Sequence, residues 1–217
     1  MRRDHPAARR ICDSGVVAVL MIERVEDAVP VARALLAGGV DAMELTLRTD
    51  AAMDSLRAVK AEVPEMLAGV GTILTTDQVF EVKQAGADFG VAPGVNPRVL
   101  EAARDEGLAF APGIMTPSDI EAALEFDCEV LKFFPASSSG GLTHLKNIAA
   151  PYQHLGLRYI PLGGINQENM GDYLSSELIA AIGGSWLAKK PMIAAGDWQG
   201  ITDLARAAVE QASASKA

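Results

Sequence analysis

Apolar residues along the chain fall into two alternating patterns. Short β-rich runs recur roughly every 20 to 25 residues, near Val16–Met21, Ala42–Leu47, Met66–Gly71, Phe89–Ala92, Leu108–Ala111, Val130–Phe134, Tyr159–Pro161 and Ile179–Ile182. Between them, segments such as Ala28–Leu36, Ala51–Ala61, Asp77–Ala85, Arg98–Asp105 and Ser118–Leu124 carry apolar positions at helical spacing with polar opposite faces. Helix starts are marked by Thr76-Asp77, by Asn96-Pro97 and by Thr116-Pro117-Ser118-Asp119, which match N-cap and first-turn preferences. The rhythm predicts repeated βα units around a parallel sheet. With eight apolar runs, the expected architecture is α/β, a (β/α)8 TIM barrel, preceded by an extra N-terminal helix at Pro6–Asp13 and closed by a helix at Ile201–Ala212. A doubly wound open sheet is the alternative topology. Residues after Gln211 are expected to fray.

The chain has 217 residues, 49% hydrophobic and 22% charged, with no linker or compositional break, which predicts one domain over residues 1–217. A net charge of -9 argues against a nucleic-acid partner or an anionic membrane surface, since either needs clustered Lys and Arg, so a phosphate site has to be local. No run approaches the roughly 18 apolar residues of a membrane span. The basic start MRRDHPAARR is followed by Asp13 and Ser14 instead of an apolar export core, which predicts a protein that is not exported. Cys12 and Cys128 lack CxxC spacing and a neighbouring histidine, so buried reduced thiols are expected, as suits the cytoplasm. His5, His144 and His154 lie away from the strand ends in no metal-binding cluster, and no metal is expected. Lys189-Lys190 reads as a solvated face and Trp186 as core.

Candidate chemistry centres on Lys132, in the apolar run Val130-Leu131-Lys132-Phe133-Phe134-Pro135. Taking an ammonium out of water costs several kcal/mol unless it is paired or neutralised, so a lysine there needs a reason. Period-two alternation places Glu44, Thr46 and Arg48 of the second run on one face, and Val130, Lys132 and Phe134 of the sixth on another. Strands two and six of an eight-stranded barrel face each other, so Glu44 and Lys132 can converge at its mouth. A lysine facing a carboxylate suits Schiff-base chemistry, in which a neutral amine attacks a ketone and an acid/base group moves protons. A structural ion pair is the competing explanation.

Other strand ends supply further candidates. In Ala68-Gly69-Val70-Gly71-Thr72, two glycines let a ligand approach the backbone, and Thr72 with Arg48 offers donors for a carboxylate. The seventh and eighth runs end in Gly163-Gly164 and Gly183-Gly184-Ser185, pairs that expose backbone N–H groups to an anion. Loops after strands seven and eight are the usual phosphate site of such barrels.

These residues, with Glu44-Leu45-Thr46-Leu47-Arg48-Thr49, Gly69-Val70-Gly71-Thr72, Ala92-Pro93-Gly94, Pro112-Gly113-Ile114-Met115-Thr116-Pro117, Leu131-Lys132-Phe133-Phe134-Pro135-Ala136, Gly163-Gly164-Ile165 and Gly183-Gly184-Ser185-Trp186, carry a resemblance over nearly the whole chain. The chain resembles the bacterial 2-keto-3-deoxy-6-phosphogluconate (KDPG) and 4-hydroxy-2-oxoglutarate (KHG) aldolases, class I enzymes that work through a Schiff base. The resemblance implies that Lys132 forms an imine with pyruvate, that Glu44 transfers protons, and that Arg48 and Thr72 bind the pyruvyl carboxylate. It implies also that Pro93 and Phe134 shape the pocket, and that Gly163, Gly164, Gly184 and Ser185 take the phosphate of a keto-acid substrate. A cytoplasmic homotrimer without metal or organic cofactor is implied as well. A related 2-keto-3-deoxy-6-phosphogalactonate aldolase, or a non-catalytic barrel binding a phosphorylated metabolite, are the alternatives. Two positions depart from the family's pattern: Leu162 stands where a threonine is common and Ser137 where an acidic residue is. An apolar side chain in place of a hydroxyl is expected to relax or redirect specificity for the acceptor aldehyde.

Overall fold

The computed structural model describes residues 1–216. Nine strands alternate with ten α-helices over these residues, beginning with α1 at Pro6–Ser14, β1 at Val16–Leu20 and α2 at Val25–Ala37. The next units are β2 (Ala42–Thr46), α3 (Ala52–Glu62), β3 (Leu67–Gly71), α4 (Thr76–Gln84), β4 (Gly90–Val91) and α5 (Pro97–Asp105). They are followed by β5 (Phe110–Ala111), β6 (Gly113–Ile114), α6 (Pro117–Leu124), β7 (Val130–Phe133), α7 (Gly141–Ala149) and β8 (Arg158–Pro161). The last are α8 (Met170–Leu174), β9 (Ile182–Gly184), α9 (Lys190–Ala195) and α10 (Trp198–Lys216). Thr75, not Thr76, caps α4 in a reciprocal capping box with Gln78, and Thr116 caps α6 in the same way with Asp119. The tail expected to fray is helix as far as Lys216, with the Ser215 hydroxyl donating to the Gln211 carbonyl at 2.9 Å.

All strand pairs are parallel, in a six-stranded order β5-β4-β3-β2-β1-β9 and a three-stranded order β6-β7-β8. Pro112 alone separates β5 from β6, splitting the fifth apolar run; a proline donates nothing to a sheet ladder, yet its carbonyl accepts the Lys132 N–H at 2.9 Å. At the other seam, Ala180 N–H donates to the Tyr159 carbonyl at 2.9 Å beside a parallel Tyr159–Ile179 bridge. The result is a curled parallel sheet under a helical layer. The eighth run enters the sheet later than expected: Ile179 makes only the bridge, and the paired strand is Ile182–Gly184.

Alternation along the strands sorts side chains into two apolar sets. Met43, Leu45, Leu131, Phe133 and Tyr159 pack outward among the helices, while Ala42, Leu67, Phe89, Val130, Ile160 and Leu162 pack inward. The inward set is shared with Ala7, Ala8 and Ile11 of α1, so this amphipathic helix buries its apolar face against the concave interior of the sheet. Ile11 is 1% exposed, and its burial contributes about 2 kcal/mol. With α1 packed into one end, side chains at the carboxyl ends of the strands face the other.

Tyr159, 1% exposed, has a hydroxyl without a hydrogen-bond partner among the described residues. Burial, with a smaller contribution from nearby Tyr152, pushes its phenol up to about 12. Since the folded value lies above the unfolded one near 10, this group's contribution to stability is complete below about pH 10 and falls away as pH rises towards about 12. In urea unfolding followed from pH 8 to 11.5, Tyr159→Phe is expected to flatten the alkaline fall in stability. An unchanged slope would show that the phenol is not responsible. No helix of the described residues is long and apolar enough to cross a membrane.

Candidate active site

Lys132 on β7 and Glu44 on β2 both point inward, and their side chains are 8% and 3% exposed. Lys132 Nζ lies 3.3 Å from Glu44 Oε1 and 5.3 Å from the ring centre of Phe134. Glu44 is the only hydrogen-bond partner of the ammonium among the described residues. At an effective dielectric of 20, two charges at this separation attract by about 5 kcal/mol. Desolvating each ion costs several kcal/mol, so one contact at this distance about breaks even. Stability alone therefore does not account for the pair.

Glu44 is shaped from behind by β3. A Cβ built on Gly71 would stand 1.8 Å from Glu44 Oε1, so glycine is required there for the carboxylate to lie where it does. Gly71→Ala is expected to displace the carboxylate by about 1 Å or more and lower turnover about a hundredfold, with the far-ultraviolet circular dichroism retained. Turnover within threefold of the parent would show that the carboxylate's position is not critical. Gly69 is similar: its Cβ would strike the Phe89 ring at 2.4 Å. These two glycines make room for protein side chains and not, as expected from the sequence, for a ligand. Thr72 follows at φ 64°, a left-handed conformation that costs a β-branched residue about 1 kcal/mol or more and places strain next to the pair.

Above Lys132 and Glu44 a cavity of about 500 Å³ opens. Of the residues singled out in the sequence, Lys132, Glu44, Arg48, Thr72, Pro93, Phe134, Gly163, Gly164 and Ser185 all line it, and Gly184 does not. Arg48 sits in the turn after β2, exposed, its guanidinium in no ion pair among the described residues. Leu162, 5% exposed, lines the wall beside Lys132. A wider depression of about 1050 Å³ lies outside the sheet beside α7 and α8, but it contains no comparable nucleophile and base.

The two glycine pairs behave differently. Gly163 and Gly164 adopt φ values of 93° and 80°, and their amides donate to no acceptor among the described residues, as the anion-loop reading requires. Gly183 and Gly184 belong to β9 itself. Side chains there would meet Leu162 at 2.5 Å and the Trp186 ring at 1.6 Å, so both positions need glycine for packing, while Gly183 also lines the cavity and Gly184 lies just behind its wall. Sequence reasoning also missed Lys189 and Lys190, which are exposed as expected but stand in the wall of the same cavity. Their position, separated by two residues from the eighth strand's Gly-Gly-Ser-Trp, was the available signal.

His144 has its Nε2 3.0 Å from the Met115 carbonyl and stacks on Phe133, while the His5 ring accepts from the Ala7 amide and caps α1; both roles are structural. Neither cysteine is in a disulfide, and among the described residues no group of three or more His, Cys, Asp or Glu is placed to hold a metal ion. What the cavity offers is a buried amine, a carboxylate 3.3 Å away, an unpaired guanidinium at the rim and free backbone amides across the mouth. That set can trap a ketone bearing one anionic group near the carbonyl and a second further away.

Comparison with known proteins gives a consistent picture. The family model "KDPG and KHG aldolase" matches residues 8–204. The KHG/KDPG aldolase of Escherichia coli (strain K12) is 42% identical over 213 residues, 98% of this chain and 99% of the relative. Among solved structures, a KDPG aldolase from Legionella pneumophila, with pyruvate captured as a covalent carbinolamine, superposes with a TM-score of 0.89 at 35% identity, covering 94% of this chain and 98% of that one. The KDPG aldolase of Zymomonas mobilis ZM4 with 3-phosphoglycerate gives 0.85 at 35% identity, over 96% of each chain.

Proposed function

Because the chain belongs to the KDPG and KHG aldolase family, we propose that it is a class I aldolase that cleaves 2-keto-3-deoxy-6-phosphogluconate to pyruvate and glyceraldehyde 3-phosphate, and 4-hydroxy-2-oxoglutarate to pyruvate and glyoxylate. The observation that carries this reading is the Lys132–Glu44 pair at the floor of a cavity. In the reaction, the Lys132 amine adds to the C2 ketone, and the carbinolamine loses water to give an iminium ion. Glu44, directly or through a water, accepts the C4 hydroxyl proton; the C3–C4 bond breaks, its electron pair moves into the iminium as an enamine, and the aldehyde leaves. Protonation of the enamine at C3 and hydrolysis release pyruvate and restore the lysine.

Arg48 and the Thr72 hydroxyl hold the C1 carboxylate, Pro93 and Phe134 confine the pyruvyl half, and the Gly163 and Gly164 amides with Ser185 receive the phosphate. The two sheets form one (β/α)8 barrel with α1 as an added N-terminal plug, the described residues form one domain, and the enzyme works as a cytoplasmic homotrimer without metal or cofactor. Leu162 presents no hydroxyl to the aldehyde half, which favours a broadened acceptor range. The test is pyruvate release from each keto acid with and without a chelator. Release from the phosphorylated substrate that survives the chelator supports the reading, and release that vanishes with it would point to a metal-dependent aldolase or decarboxylase instead.

A further inference from the structure

Lys189 and Lys190 line the cavity that holds Lys132, and they come from the segment between β9 and the body of α9. Charged groups in that wall are Arg48, Lys132, Lys189 and Lys190 against Glu44, with Glu23 behind the wall offsetting Lys190, so a cationic excess remains although the whole chain carries a net charge of -9. Cations so concentrated in an acidic protein focus potential on one opening and favour a multiply charged anion there. Lys190 Nζ is 2.6 Å from Glu23 Oε1, an exposed ion pair that joins the segment after β1 to the segment after β9 across adjacent strands. Lys189 has no side-chain partner among the described residues, while its carbonyl accepts from the amides of Met192 and Ile193 and so fixes its backbone.

We propose that Lys189 and Lys190 form a cationic arm that selects acceptors carrying a distal phosphate, adding charge to a subsite whose other donors, the Gly163 and Gly164 amides and Ser185, are neutral. The proposal rests on the aldolase reading above. Neutral amides orient an anion but distinguish a dianion from a hydroxyl less strongly than ammonium groups do. An apolar wall at Leu162 leaves the aldehyde half with few side-chain hydrogen bonds, so charge at the phosphate end supplies the discrimination. Both lysines are exposed, so their attraction for phosphate is screened by salt.

The experiment compares kcat/KM for 2-keto-3-deoxy-6-phosphogluconate with that for unphosphorylated 2-keto-3-deoxygluconate in the wild type, in Lys189→Ala/Lys190→Ala and in Lys189→Arg/Lys190→Arg, at low and high ionic strength. The ratio is expected to fall about tenfold in the alanine variant through KM, to recover in the arginine variant, and to depend less on salt in the alanine variant than in the wild type. A ratio within twofold of the wild type, or equal losses on both substrates, would overturn the proposal. Trapping of pyruvate on wild-type Lys132 by borohydride separates the two readings: an adduct with an unchanged ratio rejects the lysine arm only, whereas no adduct rejects the aldolase reading itself.

Discussion

Lys132→Met is expected to abolish aldol cleavage, with a loss on the order of 10⁵-fold or more, since the covalent route is removed and the remaining groups only bind and orient. Incubation with pyruvate and borohydride followed by mass spectrometry should give one reduced adduct on the wild-type protein, at Lys132, and none on the variant. The variant also leaves Glu44, 3% exposed, as a buried carboxylate without its partner, a loss of about 3–5 kcal/mol. Converting both residues, Lys132→Met with Glu44→Met, is expected to recover most of that stability while activity stays absent. This cycle separates the chemical role of the pair from its structural one. Measurable turnover by the single variant, or a wild-type adduct on a different lysine, would remove Lys132 from the mechanism.

Glu44→Gln is expected to lower kcat by about 10² to 10⁴, the range for losing one positioned acid/base group, with a smaller effect on pyruvate binding. Glutamine keeps the shape that Gly71 accommodates but cannot accept the C4 hydroxyl proton or return one to the enamine. Two measurements distinguish this from simple disruption. Pyruvate trapping on Lys132 should persist, more slowly, and exchange of the pyruvate methyl protons with deuterated solvent should fall in parallel with cleavage, because both need a proton moved at C3. Turnover within tenfold of the wild type would instead make Glu44 a charge partner only.

Much of the site was legible because it depends on short-range periodicity. Alternation over Ala42–Thr46 and Val130–Phe133 assigned Glu44 and Lys132 to inward positions, and the structure brings them to 3.3 Å. Gly163 and Gly164 were legible too, since a turn between strand and helix calls for positive φ. Other glycines carry a packing demand that the sequence did not show. A glycine within a strand says that a Cβ does not fit, but not what occupies the space, and at Gly69, Gly71, Gly183 and Gly184 the occupants are Phe89, Glu44, Leu162 and Trp186. Of these, Trp186 alone is near in sequence, and its ring position depends on the turn that carries it.

The start of β9 was misplaced for a related reason: Ile179 to Ala181 is as apolar as a strand and touches β8 through Tyr159, yet pairing with β1 begins only where Ile182 N–H finds the Gly15 carbonyl after α1. Lys189 and Lys190 looked like a solvated face because, locally, they are one. By itself the sequence determined the α/β class, the inward faces of the strands and the pairing of a buried lysine with a carboxylate, since these follow from alternation and from the cost of burying charge. Tertiary structure alone decided which glycines are spacers, that Gly71 leaves room for the Glu44 carboxylate, and that two surface lysines share a cavity with Lys132. Those properties depend on distances between segments far apart in the chain, which only the closing of the sheet brings within reach of one another.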